Sequence, residues 1–240
     1  MGILQIDSED EKENFSCQVE ILQTPFENSF AAFKYIKYIE KISVRGSIFY
    51  KSDLKTLIPG SWLNDKIINS YMELLSDHYT STYFFSSFTY SFLRNNPVEK
   101  VAGWYEDIDI EKYDSYVFPI HSQSHWSLVV IRDNEFYGMD SMSIMEMSVV
   151  VRIRSLMVHI FALKKKKFTG IFGKLLKRRI PQQENGDDCG VFCCAYARYF
   201  LRSTSYDEFS SKDIPKLRGI ILHEILSGKM LYCQPNSPSL

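Results

Sequence analysis

The sequence predicts a single α+β domain, a small central sheet flanked by helices, and three observations carry that reading. Residues 117–120, 126–131 and 135–139 are consecutive short segments of strand character. Residues 64–75, 149–163, 190–201 and 214–226 carry helical spacing on either side of them. No internal repeat or linker-like stretch divides the 240 residues, a length that suits one large domain burying roughly 70 % of its unfolded surface. With 45 % hydrophobic and 24 % charged residues the chain lies near globular averages and away from the regime of disorder. The 28 Lys and Arg against 29 Asp and Glu leave a net charge of −1, so nothing global suits a nucleic-acid coat or an anionic membrane.

In chain order, residues 1–28 read as a loosely ordered acidic leader, with Asp7, Glu9, Asp10, Glu11, Glu13 and Glu20 against Lys12 alone. Residues 29–240 form the single domain. Phe30, Phe33, Ile36, Ile39 and Ile42 recur every third position up to Gly46, which predicts an amphipathic helix with a glycine stop. A short extended piece is expected at 47–50. Asn64-Asp65 then offers a cap, and Ile67, Ile68, Tyr71, Leu74 and Leu75 share one face of the helix that follows. Arg132-Asp133-Asn134 reads as the hairpin turn between the last two strands. Residues 164–179 hold eight basic residues and no acid; a nuclear-localisation signal, a contact for an acidic partner and a solvated loop all fit such a run. The final helix ends near Gly228.

No apolar run approaches the roughly 18 residues of a membrane-spanning helix, and the first twenty are too acidic for a signal peptide. A soluble intracellular protein is expected, in nucleus or cytoplasm. Met1-Gly2 opens like a myristoylation signal, but Ile6 stands where Ser or Thr belongs. The five cysteines, three crowded at Cys189, Cys193 and Cys194 and two remote at Cys17 and Cys233, match neither a disulfide framework nor a CxxC zinc pair. Reduced thiols are expected.

One of them is placed for chemistry. The polar segment 182–188 runs directly into an apolar helix, so Cys189 falls at a helix N-terminus, where unpaired N–H groups and the macrodipole favour the thiolate. Cys193 and Cys194, inside the helix, read as buried small hydrophobes. A cysteine nucleophile needs a base, and His125, at the start of its strand, is presented to a cleft. His121 is the nearest rival, while His159 and His223 fall on helices and His78 ends one. The imidazole needs an acceptor that fixes its tautomer. Asp140, ending the next strand, lies beside His125; Asp133, the alternative, sits in the turn at the far end. Acyl transfer also needs oxyanion donors, and Gln183, six residues before Cys189, is the candidate side chain beside the Cys189 backbone N–H.

Together these residues resemble the ubiquitin-like-protein proteases, the sentrin- or SUMO-specific cysteine peptidases related to the adenovirus protease. Ser61-Trp62-Leu63-Asn64-Asp65 is similar to that family's WLND motif, His125-Trp126-Ser127-Leu128 to its HWSL, and Asp140-Ser141 to its DS. Residues 183–190 are similar to its Q-x-N-G-x-D-C-G. Weaker agreement continues at Trp104, at Phe118-Pro119-Ile120 and from Asp213 to Arg218, so that the likeness covers about 47–231. The order His, Asp, Gln, Cys excludes papain, whose cysteine comes first.

The resemblance implies a cysteine-protease fold with a small central mixed sheet and cleavage after the C-terminal Gly-Gly of a ubiquitin-like modifier. SUMO is the first choice, whether in lysine-linked conjugates or as a precursor. It implies Cys189 as nucleophile, His125 as general base, Asp140 as its orienter and Gln183 as oxyanion donor. Trp62 and Trp126 would line a tunnel that only glycine, lacking Cβ, can thread. Asp65 would pair with a basic residue of the modifier; a cap carboxylate near a helix start explains it nearly as well, and the two roles are compatible. No metal, organic cofactor, membrane or nucleic acid is implied. Asp187 departs from the pattern: a carboxylate two residues from Cys189 would oppose its ionisation if the side chains faced each other. Deneddylases and deubiquitinases of the same family, protein acetyltransferases on a related fold and a catalytically weak binding module remain the competing readings.

Overall fold

The computed structural model describes residues 33–175, 180–202 and 209–230; the predicted acidic leader, Cys17 and Cys233 lie outside them. A five-stranded mixed sheet organises the rest in the order β3-β4-β5-β6-β7. It comprises β3 (Thr82–Phe84), β4 (Ser115–Ser122), β5 (His125–Arg132), β6 (Glu135–Met139) and β7 (Ile171–Leu175). The three central strands pair antiparallel, and both edge strands are added parallel. Each central hairpin closes on a two-residue turn with positive φ, Asp133 at 52° and Asn134 at 60°, Gln123 at 53° and Ser124 at 58°. That backbone twist matches the flanking strands. The first of these turns was legible in Arg132-Asp133-Asn134; the second contains no Gly, Asn or Asp and was not.

Strand alternation divides the apolar side chains of the sheet between two cores. Trp126, Leu128 and Val130 of β5 face one side. There they pack against α2 (Asp65–His78), α6 (Cys189–Arg202) and α7 (Ile214–Ser227). Val129 and Ile131 face the other, packing with α3 (Phe88–Asn95), α4 (Val98–Gly103) and α5 (Met147–Leu163). The first core is braced by a buried polar cluster. Arg198 Nη1 donates to both carboxylate oxygens of Glu224 at 2.9 and 2.7 Å and to the Tyr71 hydroxyl at 2.8 Å, tying α6, α7 and α2 together. Gly228, at φ 64°, is the left-handed residue that stops α7, where the sequence placed the stop.

One expectation needs correction. The period-three run does not form an amphipathic helix up to Gly46. Phe33–Tyr38 is a 3-10 helix, followed by a hairpin of β1 (Lys41–Val44) and β2 (Ser47–Tyr50), with Gly46 at its turn, and then by the short helix α1 (Lys51–Lys55). A repeat of three is the period of a 3-10 helix rather than the 3.6 of an α-helix, and Ile42 is buried from a strand. Phe30 lies outside the described residues. The basic run, for which a solvated loop is one of three readings, is crossed by β7. Lys164 donates to the Glu106 carbonyl, and Lys166 lies 3.5 Å from Glu111.

Candidate active site

The segment that carries Cys189 is built from the loop before α6. The Asp188 carbonyl accepts the Phe192 N–H at 3.0 Å, which starts the helix and makes Cys189 its first residue. Cys189 is 2 % exposed. Gly190 lets the helix approach the 61–64 stretch: a Cβ there would sit 2.7 Å from Leu63 Cβ, closer than real contacts allow. The Leu63 carbonyl in turn accepts the Trp126 indole N–H at 2.9 Å, so one residue sets both the helix approach and the tryptophan.

His125 opens β5 and Asp140 follows the end of β6. Continuing the register in which Leu128 opposes Met139 puts Asp140 opposite Ser127, diagonal to His125 on the same face. The ring lies 2.7 Å from the carboxylate, His125 Nε2 to Asp140 Oδ1. Asp140 also accepts backbone N–H groups from Met142 on Oδ1 at 2.8 Å, and from Ile144 and Met145 on Oδ2 at 3.1 and 2.6 Å. Burial raises the Asp140 pKa, but the His125 bond and these N–H donors outweigh it and hold the carboxyl below its usual range. For His125 burial acts downward, yet the hydrogen bond to Asp140 and the nearby Cys189 sulfur prevail and push it up to about 9. The imidazole therefore carries its proton at neutral pH, with Cys189 close enough to help hold it there.

The structure thus brings Cys189, His125 and Asp140 together. It separates the rivals. His121 stacks beside Trp126 at 4.6 Å between ring centroids, on the opposite face of β4 and β5 from His125, and Asp133 is exposed at the far turn. Cys193 and Cys194 are fully buried, and burial drives both thiol pKa values up. Gln183 is joined to the site indirectly. Its Oε1 accepts from Ser141 Oγ at 2.5 Å and its Nε2 donates to the Asn185 carbonyl at 2.7 Å.

A groove of about 260 Å³ leads to Cys189, lined by Trp62, Trp126, Asp65 and His121 among others. Trp126 is buried, whereas Trp62 is 56 % exposed and pinned by its indole N–H to the Gly186 carbonyl at 2.8 Å. The helix cap is Asn64, whose Oδ1 accepts the Ile67 N–H at 3.0 Å. Asp65, one residue on, is free of that duty and faces the groove.

Sequence reasoning matched Arg218 to a weak motif and assigned it no role. Only 1 % of its side chain is exposed, and its five donors clamp two loops. Nε and Nη2 bind Asp188 Oδ1 at 2.9 and 2.6 Å, and Nη2 reaches the Asp187 carbonyl at 3.1 Å. The Thr56, Ile58 and Ser61 carbonyls accept at 3.1, 3.3 and 2.9 Å. The loop before Cys189 is thereby locked to the loop before Trp62. Arg218 also lies 3.5 Å from the Asp187 carboxylate, so one buried cation faces both acids of the loop. Among the described residues no group of three or more His, Cys, Asp or Glu is placed to hold a metal ion.

A buried cysteine at a helix start, an imidazole against it and a carboxylate behind the imidazole form the constellation of a cysteine peptidase. Residues 61–228 match the family described as the Ulp1 protease family, C-terminal catalytic domain, and the chain belongs to it. It is 34 % identical over 193 residues to a sentrin-specific protease of Caenorhabditis elegans, covering 75 % of this chain and 27 % of that protein. With human sentrin-specific protease 2 it shares 32 % over 196 residues, covering 75 % and 32 %. The chain thus matches about a third or less of the length of these relatives. A solved structure of the SUMO protease Ulp1 with its catalytic cysteine oxidised to a sulfinic acid superposes at a TM-score of 0.70 and 25 % identity, over 93 % of this chain and 97 % of that one. The Ulp1 protease domain in complex with Smt3, the yeast orthologue of SUMO, has the same fold at a TM-score of 0.70 and 24 % identity, over 94 % and 98 %. Among the described residues no helix is long and apolar enough to cross a membrane.

Proposed function

We propose that this chain is a cysteine isopeptidase that cleaves after the C-terminal Gly-Gly of a ubiquitin-like modifier, SUMO in first place, working inside the cell in nucleus or cytoplasm. The observation that carries the reading is the meeting of a tryptophan-lined groove with the Cys189–His125–Asp140 line. The names of the sentrin-specific relatives support the choice of modifier.

In this mechanism the Cys189 thiolate attacks the terminal glycine carbonyl. The oxyanion is met by the Cys189 backbone N–H and by Gln183, whose amide exchanges the Asn185 carbonyl for the substrate oxygen. The C–N bond then breaks as His125 gives its proton to the departing lysine amine, leaving a thioester. Water attacks the thioester with its proton passing to His125, the C–S bond breaks, and the modifier leaves as a carboxylate. Asp140 holds Nε2 throughout, so that Nδ1 is the nitrogen exchanging protons. Trp62 and Trp126 exclude any residue with a Cβ from the two terminal positions, and Asp65 pairs with a basic residue of the modifier.

The test is incubation of wild type and Cys189→Ala with C-terminally electrophilic SUMO and ubiquitin probes, scored by covalent mass shift. A SUMO adduct that vanishes in the variant is expected. An adduct with ubiquitin alone, or only with a matching Nedd8 probe, overturns the choice of modifier, and no adduct with any of the three overturns the isopeptidase reading.

A further inference from the structure

A second concavity, about 360 Å³, opens on the other side of His125 and shares no lining residue with the tryptophan groove. His125 and Asp140 form one end of it, and Tyr90, Arg94, Glu146 and Arg152 lie around it. Its chemistry is that of a site awaiting an anion. Tyr90 is 4 % exposed and lines the cavity, yet its hydroxyl has no hydrogen-bond partner among the described residues. Arg152 is exposed and has no hydrogen-bonding or ion-pairing partner among the described residues. Arg94 spends one nitrogen on Ser122 Oγ at 3.1 Å. Against these two cations stands Glu146, which accepts from Ser148 Oγ at 3.1 Å. Asp140 is already committed to His125 and three backbone N–H groups. With the His125–Asp140 pair neutral as a unit, one positive charge remains, beside an unused hydroxyl donor.

The position says which part of a substrate arrives there. The acyl half occupies the groove leading to Cys189, and the amine that leaves takes its proton from His125, so the polypeptide bearing that amine departs past the imidazole. We propose that the second concavity is the leaving-side subsite and takes an acidic side chain close to the modified lysine, its carboxylate accepting from Tyr90 and pairing with Arg94 and Arg152. This rests on the isopeptidase reading, and it deepens that reading: the enzyme selects among targets as well as among modifiers.

The test uses isopeptide conjugates of SUMO with peptides in which Glu or Gln stands one or two residues to either side of the lysine, compared as the ratio of kcat/KM within each enzyme. At one of these positions Glu is expected to be preferred about three- to tenfold, the size of one or two partly exposed charge-assisted contacts. The ratio falls to about one in the Arg94→Gln/Arg152→Gln double variant and rises in Glu146→Gln, and because it is taken within one enzyme a general loss of activity does not move it. Equal cleavage of Glu and Gln peptides at every position overturns the subsite and leaves the isopeptidase reading standing. Failure to cleave any conjugate overturns that reading and the subsite with it.

Discussion

Replacing Asp140 by Asn tests the site at its most constrained atom pair. The two carboxylate oxygens accept four donors: His125 Nε2 and the Met142 N–H on Oδ1, the Ile144 and Met145 N–H groups on Oδ2. An amide has one oxygen for these four. If its NH2 takes the Oδ2 place, it faces two backbone donors at 3.1 and 2.6 Å. If it takes the Oδ1 place, it faces the Met142 N–H, and His125 Nε2 must become an acceptor, which moves the proton to Nδ1 beside Cys189. Either arrangement leaves buried donors opposed, at about 1–3 kcal/mol, and the second fixes the wrong tautomer. In a Ser-His-Asp protease the same exchange costs about 10⁴ in kcat, and a loss of about 10³ to 10⁴ is expected here.

The pH dependence follows in sign. His125 stands at about 9 in the folded protein, above the ordinary value of about 6.5. Its contribution to stability is therefore full below about 6.5 and lost as pH rises through about 9. Asp140→Asn removes the carboxylate that holds the proton, so the decline in urea midpoint between about pH 6 and pH 9.5 flattens. Asp133→Asn, at the exposed turn, serves as the control and changes stability by less than about 0.5 kcal/mol. Steady-state kinetics on a modifier-tail substrate decide the matter: Asp140→Asn within tenfold of wild type, or Asp133→Asn as the more damaging change, refutes the orienting role.

Two further outcomes are expected. Arg218→Met strands Asp188 Oδ1 and four loop carbonyls, so urea unfolding should show a loss of about 3–5 kcal/mol, with Arg218→Lys restoring only part because three donors cannot replace five; an unchanged midpoint removes Arg218 from the clamp. His223 is buried with its Nε2 unpartnered among the described residues, and burial lowers its pKa; His223→Leu should therefore raise the unfolding free energy by about 1 kcal/mol, and a less stable variant shows that the ring has an unseen role.

The parts of the site legible in the sequence are those whose partners are close in the chain or carried by strict patterning. His125 and Asp140 belong to adjacent strands of one hairpin, and a polar loop running into an apolar helix announced Cys189. Arg218 was not legible. An arginine on an amphipathic helix reads as a surface cation, and the carbonyls that bury it lie some 160 residues earlier. The edge strands escaped for a different reason: β3 has three residues, and β7 lies in a run of lysines whose charge mimics a loop. The helix α3, which supplies Tyr90 and Arg94 to the second concavity, has strong amphipathic character over only eight residues, too few to announce a helix against the aromatic run that contains it.

The position of the Cys189–His125 contact has one further consequence. Cys189 is anchored in the core on one side of the sheet and His125 leaves β5 on the other, so the two side chains proposed to react meet at the end of a strand, across the seam between separately packed halves. Their separation is thus a gauge of how the halves sit on each other, read at a scale where about 1 Å is worth two orders of magnitude in rate. Substitutions deep in either half, far from any substrate, should first appear as lost turnover in a protein that is still folded, and a compensating change belongs in the opposite half.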